Sequence, residues 1–347
     1  MEQEHKRRVR YSGKYPKKFE EKYKELNPEK YQDTIQHVIG KGSTPAGMHI
    51  SICVKEILDF LQIKPGQNGA DCTFGYGGHT RKMLEQLQGE GHIVALDVDP
   101  IESEKSKKRL QDAGFGENVL AVELTNFANI DEVAAKYGKF DFLLADLGVS
   151  SMQIDNPERG FSYKVEGPLD LRMNPQKGKS AAEILLEVDR EELIGMLIEN
   201  SDEEYAEQIA NKILTYRKRG KSPKTTTELK NIIEEALSFI PEKERKDVVK
   251  KACQRTFQAL RIDVNHEFEV LYELLEKLPS VMNPGGRIAI LTFHSGEDRL
   301  VKKSFKTLNK DGIYSDYSRD VIRPSAEECA INGRAKSTKM RWAIVAE

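Results

Sequence analysis

Apolar residues along this chain gather in short runs that close on an acid. Gly69-Ala70-Asp71, His92-Ile93-Val94-Ala95-Leu96-Asp97 and Phe140-Asp141-Phe142-Leu143-Leu144-Ala145-Asp146 all end in aspartate. Runs of near-continuous hydrophobicity predict strands covered on both faces. Further strands are expected near 118–122, over Arg287–Phe293 and over Trp342–Val345. Helical spacing falls between them: Ile57, Leu58 and Leu61 before the stop at Pro65-Gly66, a helix opening near Thr80, and Phe268, Leu271, Leu274, Leu275 and Leu278 later on. Asp99, Pro100 and Glu102 stand where an N-cap, a first helical residue and a capping-box acid belong. Strands alternating with helices predict an open α/β sheet, which binds ligands at the carboxyl ends of its strands.

From Ser180 the pattern turns wholly helical. Ser180-Ala181-Ala182-Glu183 reads as a capping box, helices are expected over 190–199 and 203–216, and Leu229, Ile232, Ile233, Ala236, Leu237 and Ile240 form a 3.6-period stripe over 227–240. A helical stretch between two strand-bearing ones predicts an inserted domain. The expected division is an extension over 1–48, a first core part over 49–152, an insert over 153–252 and a second core part over 253–347, with the main domain resuming at the run Ala252–Ile262.

Charge changes this picture only locally. Lys+Arg at 54 against Asp+Glu at 56 leaves the whole near neutral, so a nucleic-acid partner must be argued from patches. One patch is the N-terminal arm, with ten Lys/Arg between Lys6 and Lys30 interleaved with Tyr11, Tyr15, Phe19 and Tyr23; it reads either as an RNA contact or as a solvated arm. A second is Arg217–Lys224 with Lys212, six cations and no acid; a third is Arg334, Lys336, Lys339 and Arg341, again with no neighbouring acid. The four cysteines, at 53, 72, 253 and 329, lack metal-ligand spacing. That usage points to a reducing cytoplasmic compartment and to no metal, and no apolar window is long enough for a membrane.

The candidate chemistry gathers at strand ends. After Asp71 come Gly75, Gly77 and Gly78, then His79 and Thr80, a turn that lets backbone approach a ligand ahead of a helix start. Asp97 lies about 20 residues beyond, where such sheets place the acid that holds a ribose. Phe127, past the third strand, is either an adenine cover or local core. Asp146, followed by Gly148, Ser150 and Ser151, reads as site. His294, at the end of the fifth strand, is either a substrate contact or a structural histidine, and His49 either faces the cofactor or starts a capped turn. Arg159 and Arg172, in the long loop 152–179, either grip phosphate or pair with Glu158 and Asp170. The turn lacks the last glycine of a dinucleotide fingerprint, so an adenosyl cofactor with an amino-acid tail suits it better than a nicotinamide dinucleotide.

Seven runs taken together, in order over 49–347, resemble one family. They are Asp71–Thr80, Asp97–Pro100, Asp146–Gln153, Glu158–Ser162, Gly167–Met173, Arg255–Ile262 and Phe293–Arg299. The family is that of the small-subunit (16S) ribosomal RNA cytosine-N4 methyltransferases. The resemblance implies a Rossmann-like class I methyltransferase fold with an inserted helical domain and S-adenosyl-L-methionine as cofactor. The substrate it implies is a cytidine N4 amine in the decoding region of small-subunit rRNA, met as free rRNA or in the assembled subunit. By carry-over, Gly77, Gly78, His79, Asp97, Phe127, Asp146 and Gln153 match the family's cofactor-contacting positions; Asp71 and Gly75 join them from the turn itself. Asp146, or the backbone carbonyls beside Leu147 and Gly148, is expected to accept the N4–H, and His294 with Ser150 or Ser151 to hold the base. A homodimer is left open. The chain departs from the family pattern in the 48 residues before His49, in Gly296 where the family has leucine, and in a shorter linker before Arg334. An RNA methyltransferase with another target nucleotide and a non-catalytic assembly factor are the alternatives; a DNA amino-methyltransferase would carry Asp/Asn-Pro-Pro-Tyr/Phe where Asp146-Leu147-Gly148-Val149 stands.

Overall fold

A computed structural model describes residues 51–347, so His49 and the basic-aromatic arm lie outside the described residues. The first helix, α1 (Val54–Leu61), leads into β1 (Asn68–Asp71), α2 (Gly78–Leu87), β2 (His92–Asp97), α3 (Pro100–Asp112), β3 (Leu120–Leu124), α4 (Ile130–Tyr137), β4 (Phe140–Asp146) and a short α5 (Ser151–Asp155). Five helices follow without a strand: α6 (Ala181–Glu187), α7 (Arg190–Ser201), α8 (Ala206–Lys218), α9 (Thr226–Ala236) and α10 (Glu242–Asn265). Then come α11 (Glu267–Val281), β5 (Met282–Thr292), α12 (Ser295–Lys310), β6 (Tyr314–Tyr317), α13 (Ala326–Ile331) and β7 (Lys339–Val345).

The strands form one sheet in the order β3-β2-β1-β4-β5-β7-β6. β1 pairs in parallel with β2 and β4, β2 with β3, and β4 with β5; β7 runs antiparallel between β5 and β6. The order in which strands are added therefore reverses at β1, and its carboxyl end is the crevice where ligands of open sheets lie. Both faces are covered: Leu143, Ile288 and Ile290 pack toward α11, while Leu144, Ala289 and Leu291 pack toward α1 and α2.

Strand ends moved where polar residues carry the ladder. The third strand is Leu120–Leu124 rather than 118–122, since Glu123 and Leu124 pair with Leu96 and Asp97. The last begins at Lys339, with Met340 and Arg341 opposite Leu291 and Ile290. β6 was not anticipated, because Tyr-Ser-Asp-Tyr offers one buried anchor, Tyr314, set edge-on to Phe305 at 5.7 Å.

The helical stretch has its own core, in which Leu185, Leu197, Ile209, Ile213, Leu229 and Ile233 meet Phe161, Leu169 and Leu171 from the loop after β4. α10 runs unbroken through the boundary expected at 252/253, and Val249, Ala252, Cys253, Phe257 and Leu260 all pack in this helical core. Heptad-spaced apolar residues keep one stripe facing it. The chain leaves the helix at His266, which is left-handed at φ 51, and continues into α11, which packs on the sheet.

Candidate active site

β1 delivers Asp71 fully buried beneath the glycine turn. Its Oδ2 accepts from Thr80 Oγ1 at 2.6 Å and its Oδ1 from Thr73 N at 3.0 Å. The carboxylate is thus occupied in fastening the turn to the first turn of α2. Gly77 caps α2 at φ 78, a left-handed backbone that costs a residue with a Cβ about 1–2 kcal/mol. A Cβ on Gly78 would stand 2.1 Å from Ser51 Oγ. Asp97 clasps the same turn from β2, accepting from Gly75 N at 2.8 Å through Oδ2 and from Asp99 N at 2.9 Å through Oδ1. The carboxylate keeps room for one more donor, so the acid can still receive a ligand hydroxyl. Burial pushes its pKa up to about 6, against those N–H groups.

Asp146 closes β4 beside this turn. Its side chain is 26% exposed, yet Oδ1 is shut off from solvent and has no hydrogen-bond partner among the described residues, while Oδ2 lies 3.5 Å from His79 Nδ1. Burial above all raises its pKa to about 6; His79 works against the shift, and Asp71 and Glu297 add to it. His79 Nε2 is 2.8 Å from the Ile52 carbonyl, which can only accept. Nε2 therefore carries a proton, and Nδ1 is the end turned to Asp146.

The chain after β4 is pinned by Asp99. As expected, Asp99 caps α3, accepting from Ile101 and Glu102 N–H through Oδ1, although no capping box forms with Glu102. Its Oδ2 takes Gln153 Nε2 at 2.8 Å and Arg159 Nη1 at 2.6 Å. Arg159 is buried and also donates to the Arg172 and Met173 carbonyls, so it knits the loop together through Asp99 rather than Glu158. Arg172 pairs with Asp170 as one of the two readings had it. Ser150 caps α5 by accepting from Gln153 N, and Gln153 Oε1 accepts from Ser150 N, so the Gln153 amide is committed on both atoms. Ser151 opens α5. Phe127 sits in a 3-10 turn just past β3, half-buried against the sheet core.

β5 delivers His294 at the start of α12. Its Nε2 lies 3.2 Å from Glu297 Oε1, and its Nδ1 is buried with no hydrogen-bond partner among the described residues. Burial would lift the Glu297 pKa, but His294, Arg261 and the Phe293 N–H together hold it below the ordinary carboxylate value. Arg261 in turn grips Glu267 in a bidentate pair, Nε donating to Oε1 at 2.7 Å and Nη2 to Oε2 at 2.9 Å. The Phe268 ring tilts on His294 at 5.7 Å, and a Cβ at position 296 would meet its Cζ at 2.6 Å. Sequence reading gave no role to Thr73, Thr80, Arg261, Glu267 and Glu297; the runs 71–80, 255–262 and 293–299 carry Thr73, Thr80, Arg261 and Glu297, and nothing signalled Glu267.

The basic segments part company. Arg341 and Lys339 reach Asp298 at 2.6 and 3.4 Å, and Arg334 reaches Asp155 at 2.7 Å, so that stretch does have acids beside it, brought by folding. In the insert, Lys212 pairs with Glu235 and Arg217 donates to the Leu185 and Val188 carbonyls. Lys218, Arg219, Lys221 and Lys224 are exposed.

The strand order, the antiparallel β7, the glycine turn after β1 and the acids ending β2 and β4 define a Rossmann-like class I methyltransferase that uses S-adenosyl-L-methionine. The residues fit that cofactor: Gly77 gives α2 its left-handed cap, Asp97 keeps capacity for a ligand hydroxyl, and Asp146 Oδ1 stands unpaired at the adjoining strand end. The chain belongs to the MraW methylase family, whose model matches residues 46–345. It is similar to ribosomal RNA small subunit methyltransferase H 1 of Agathobacter rectalis, 71% identical over 100% of this chain and 99% of that protein. The protein of the same name from Lachnoclostridium phytofermentans is 67% identical over 99% and 93%. Ribosomal RNA small subunit methyltransferase H of Pseudoalteromonas atlantica is 36% identical over 85% of this chain and 97% of its own length.

Proposed function

We propose that this enzyme methylates the N4 amine of a cytidine in small-subunit ribosomal RNA, with Asp146 as the group that receives the amine. The relatives' names and the family match support the substrate class. The observation that carries the chemistry is the buried, unpaired Asp146 Oδ1 at the end of β4 with His79 behind it.

The N4 lone pair is delocalised into the cytosine ring, so alignment and charge stabilisation must supply much of the acceleration. S-adenosyl-L-methionine supplies an electrophilic methyl group carried on a sulfonium. The Asp146 carboxylate accepts one N4–H, which aims the amine and keeps its lone pair clear. As positive charge develops on the nitrogen, that proton passes to the carboxylate. His79 Nδ1, 3.5 Å from Oδ2 with its ring proton held on Nε2 by the Ile52 carbonyl, stands behind the carboxyl group and can accept from it once it is protonated. The target base leaves its stack to reach this position. Ser150 keeps its hydroxyl proton to donate, and His294 stands at the neighbouring strand end as the second group to hold the base. Gly75, Gly77 and Gly78 cradle the amino-acid end of the cofactor, Asp97 its ribose and Phe127 its adenine, while Asp71 and Gln153 act from beneath by holding the turn and the loop. We place the acceptor in the assembled small subunit or its free rRNA, and the enzyme in the cytoplasm; among the described residues no helix is long and apolar enough to cross a membrane.

Purified enzyme with methyl-labelled cofactor should label small-subunit rRNA or assembled subunits, and nuclease digestion should give N4-methylcytidine. Label in another nucleoside would point to a different target, and transfer to no RNA would point to an assembly factor.

A further inference from the structure

The end of α8 and the start of α9 enclose a cleft of about 420 Å³ whose lining includes Tyr216, Lys221, Ser222, Lys224, Asn231 and Glu235. A volume of that order is enough for a nucleotide. The acid in its wall is already committed, since Glu235 accepts from Tyr216 Oη at 2.7 Å and pairs with Lys212 at 3.1 Å. Glu228 is likewise spent capping α9 on the Lys224 and Thr225 N–H groups. Lys221 and Lys224 are exposed, with no ion pair among the described residues, and the Ser222 hydroxyl is buried without a hydrogen-bond partner there. A shielded hydroxyl left unpaired costs stability, and a ligand oxygen would relieve it. The same loop is fastened to the loop that leaves the active site: Leu169 N donates to the Lys224 carbonyl at 2.9 Å, and Thr226 N to the Gly167 carbonyl at 3.0 Å.

We propose that this cleft holds one unstacked nucleotide of the RNA acceptor, with its phosphates on Lys221 and Lys224 and its base against Tyr216 within reach of Asn231. Single-stranded RNA is recognised by this combination of cations, an aromatic face and an amide. The proposal rests on RNA being the acceptor. The cleft is a second contact, separate from the methyl-transfer position, and it contributes affinity without chemistry.

The test uses the full chain and small-subunit rRNA with Lys221→Ala/Lys224→Ala. RNA affinity should fall about tenfold at low salt, and the slope of log affinity against log salt should drop by roughly 1.4, at about 0.7 per phosphate on a single strand. KM for RNA should rise while kcat at saturating RNA, cofactor affinity and thermal unfolding stay at wild-type values. Lys221→Arg/Lys224→Arg should restore the slope. RNA carrying 4-thiouridine should photocrosslink to peptides from 216–235. If wild type methylates RNA while the double alanine variant keeps its slope and KM, or if crosslinks avoid 216–235, the cleft proposal is overturned and the functional reading stands. If wild type neither binds nor methylates RNA, the functional reading itself fails.

Discussion

At the carboxyl edge of the sheet the main charges are held by partners inside the protein, whereas the exposed cations of the 218–224 loop make no ion pair among the described residues. Asp99 holds Arg159, Asp298 holds Arg341, and Asp71 is closed off by Thr73 and Thr80. Among the described residues, Asp146 Oδ1 and His294 Nδ1 are left without a partner there. In the insert, the acids that could have neutralised the loop are spent on a helix cap and a tyrosine. Similar residue types therefore serve opposite ends. Changes at the sheet edge should move turnover or stability, and changes in the loop should move only RNA affinity and its salt dependence.

The largest effect expected is at Asp146. Removing a positioned proton acceptor typically costs about 10²–10⁴-fold in rate, so Asp146→Ala should lose turnover on that scale while its cofactor affinity, measured by calorimetry, changes far less. Near wild-type turnover in that variant, with cofactor bound, would remove the role given to the carboxylate. Arg159→Ala comes next. Its guanidinium is 8% exposed against an Asp99 carboxylate at 0%. Breaking one half of such a pair costs about 3–5 kcal/mol, readable in urea unfolding. A loss below about 1 kcal/mol would mean that the charges at this edge are less interdependent than drawn here.

How much of this could be read from the chain depends on how far each partner lies along it. The strands ending at Asp71, Asp97 and Asp146, the Asp99 cap and the Ser180 capping box rest on neighbours within a few residues, and all of them form. Arg159 to Asp99, Arg341 to Asp298 and Arg334 to Asp155 join residues 60, 43 and 179 positions apart, so no local pattern could announce them. The same holds for the end of the insert. A helix running from 242 to 265 carries one continuous apolar stripe, and nothing in the stripe marks which core it faces.

Gly296 tests the edge more finely. A Cβ there would stand 2.6 Å from Phe268 Cζ and 3.2 Å from His294 Nδ1. Gly296→Leu should therefore cost about 1–3 kcal/mol through overpacking and raise KM for RNA by tilting His294. Phe268→Ala in the same chain vacates that space. A double-mutant cycle should show favourable coupling of about 1 kcal/mol or more, and strict additivity would mean that the ring does not set the histidine.

The effects of pH separate the two regions most cleanly. Burial raises the pKa of Asp146 from 3.8 to about 6. Between about pH 4 and 6 the folded form thus holds a proton that the unfolded chain has released, so this group's contribution to unfolding free energy falls as pH rises through that window and is level above it. The difference in stability between wild type and Asp146→Asn, followed by urea unfolding across pH 4–7, isolates it from Asp97, which is raised in the same way. Catalysis runs in the opposite sense, because the acceptor must be ionised: kcat/KM for RNA should climb through about pH 6 and then level. The Lys221→Ala/Lys224→Ala variant should keep both limbs where wild type has them while its KM shifts at every pH. A displaced acid limb in that variant would mean that the loop and the strand end are electrostatically coupled, and the division of labour between them would have to be redrawn.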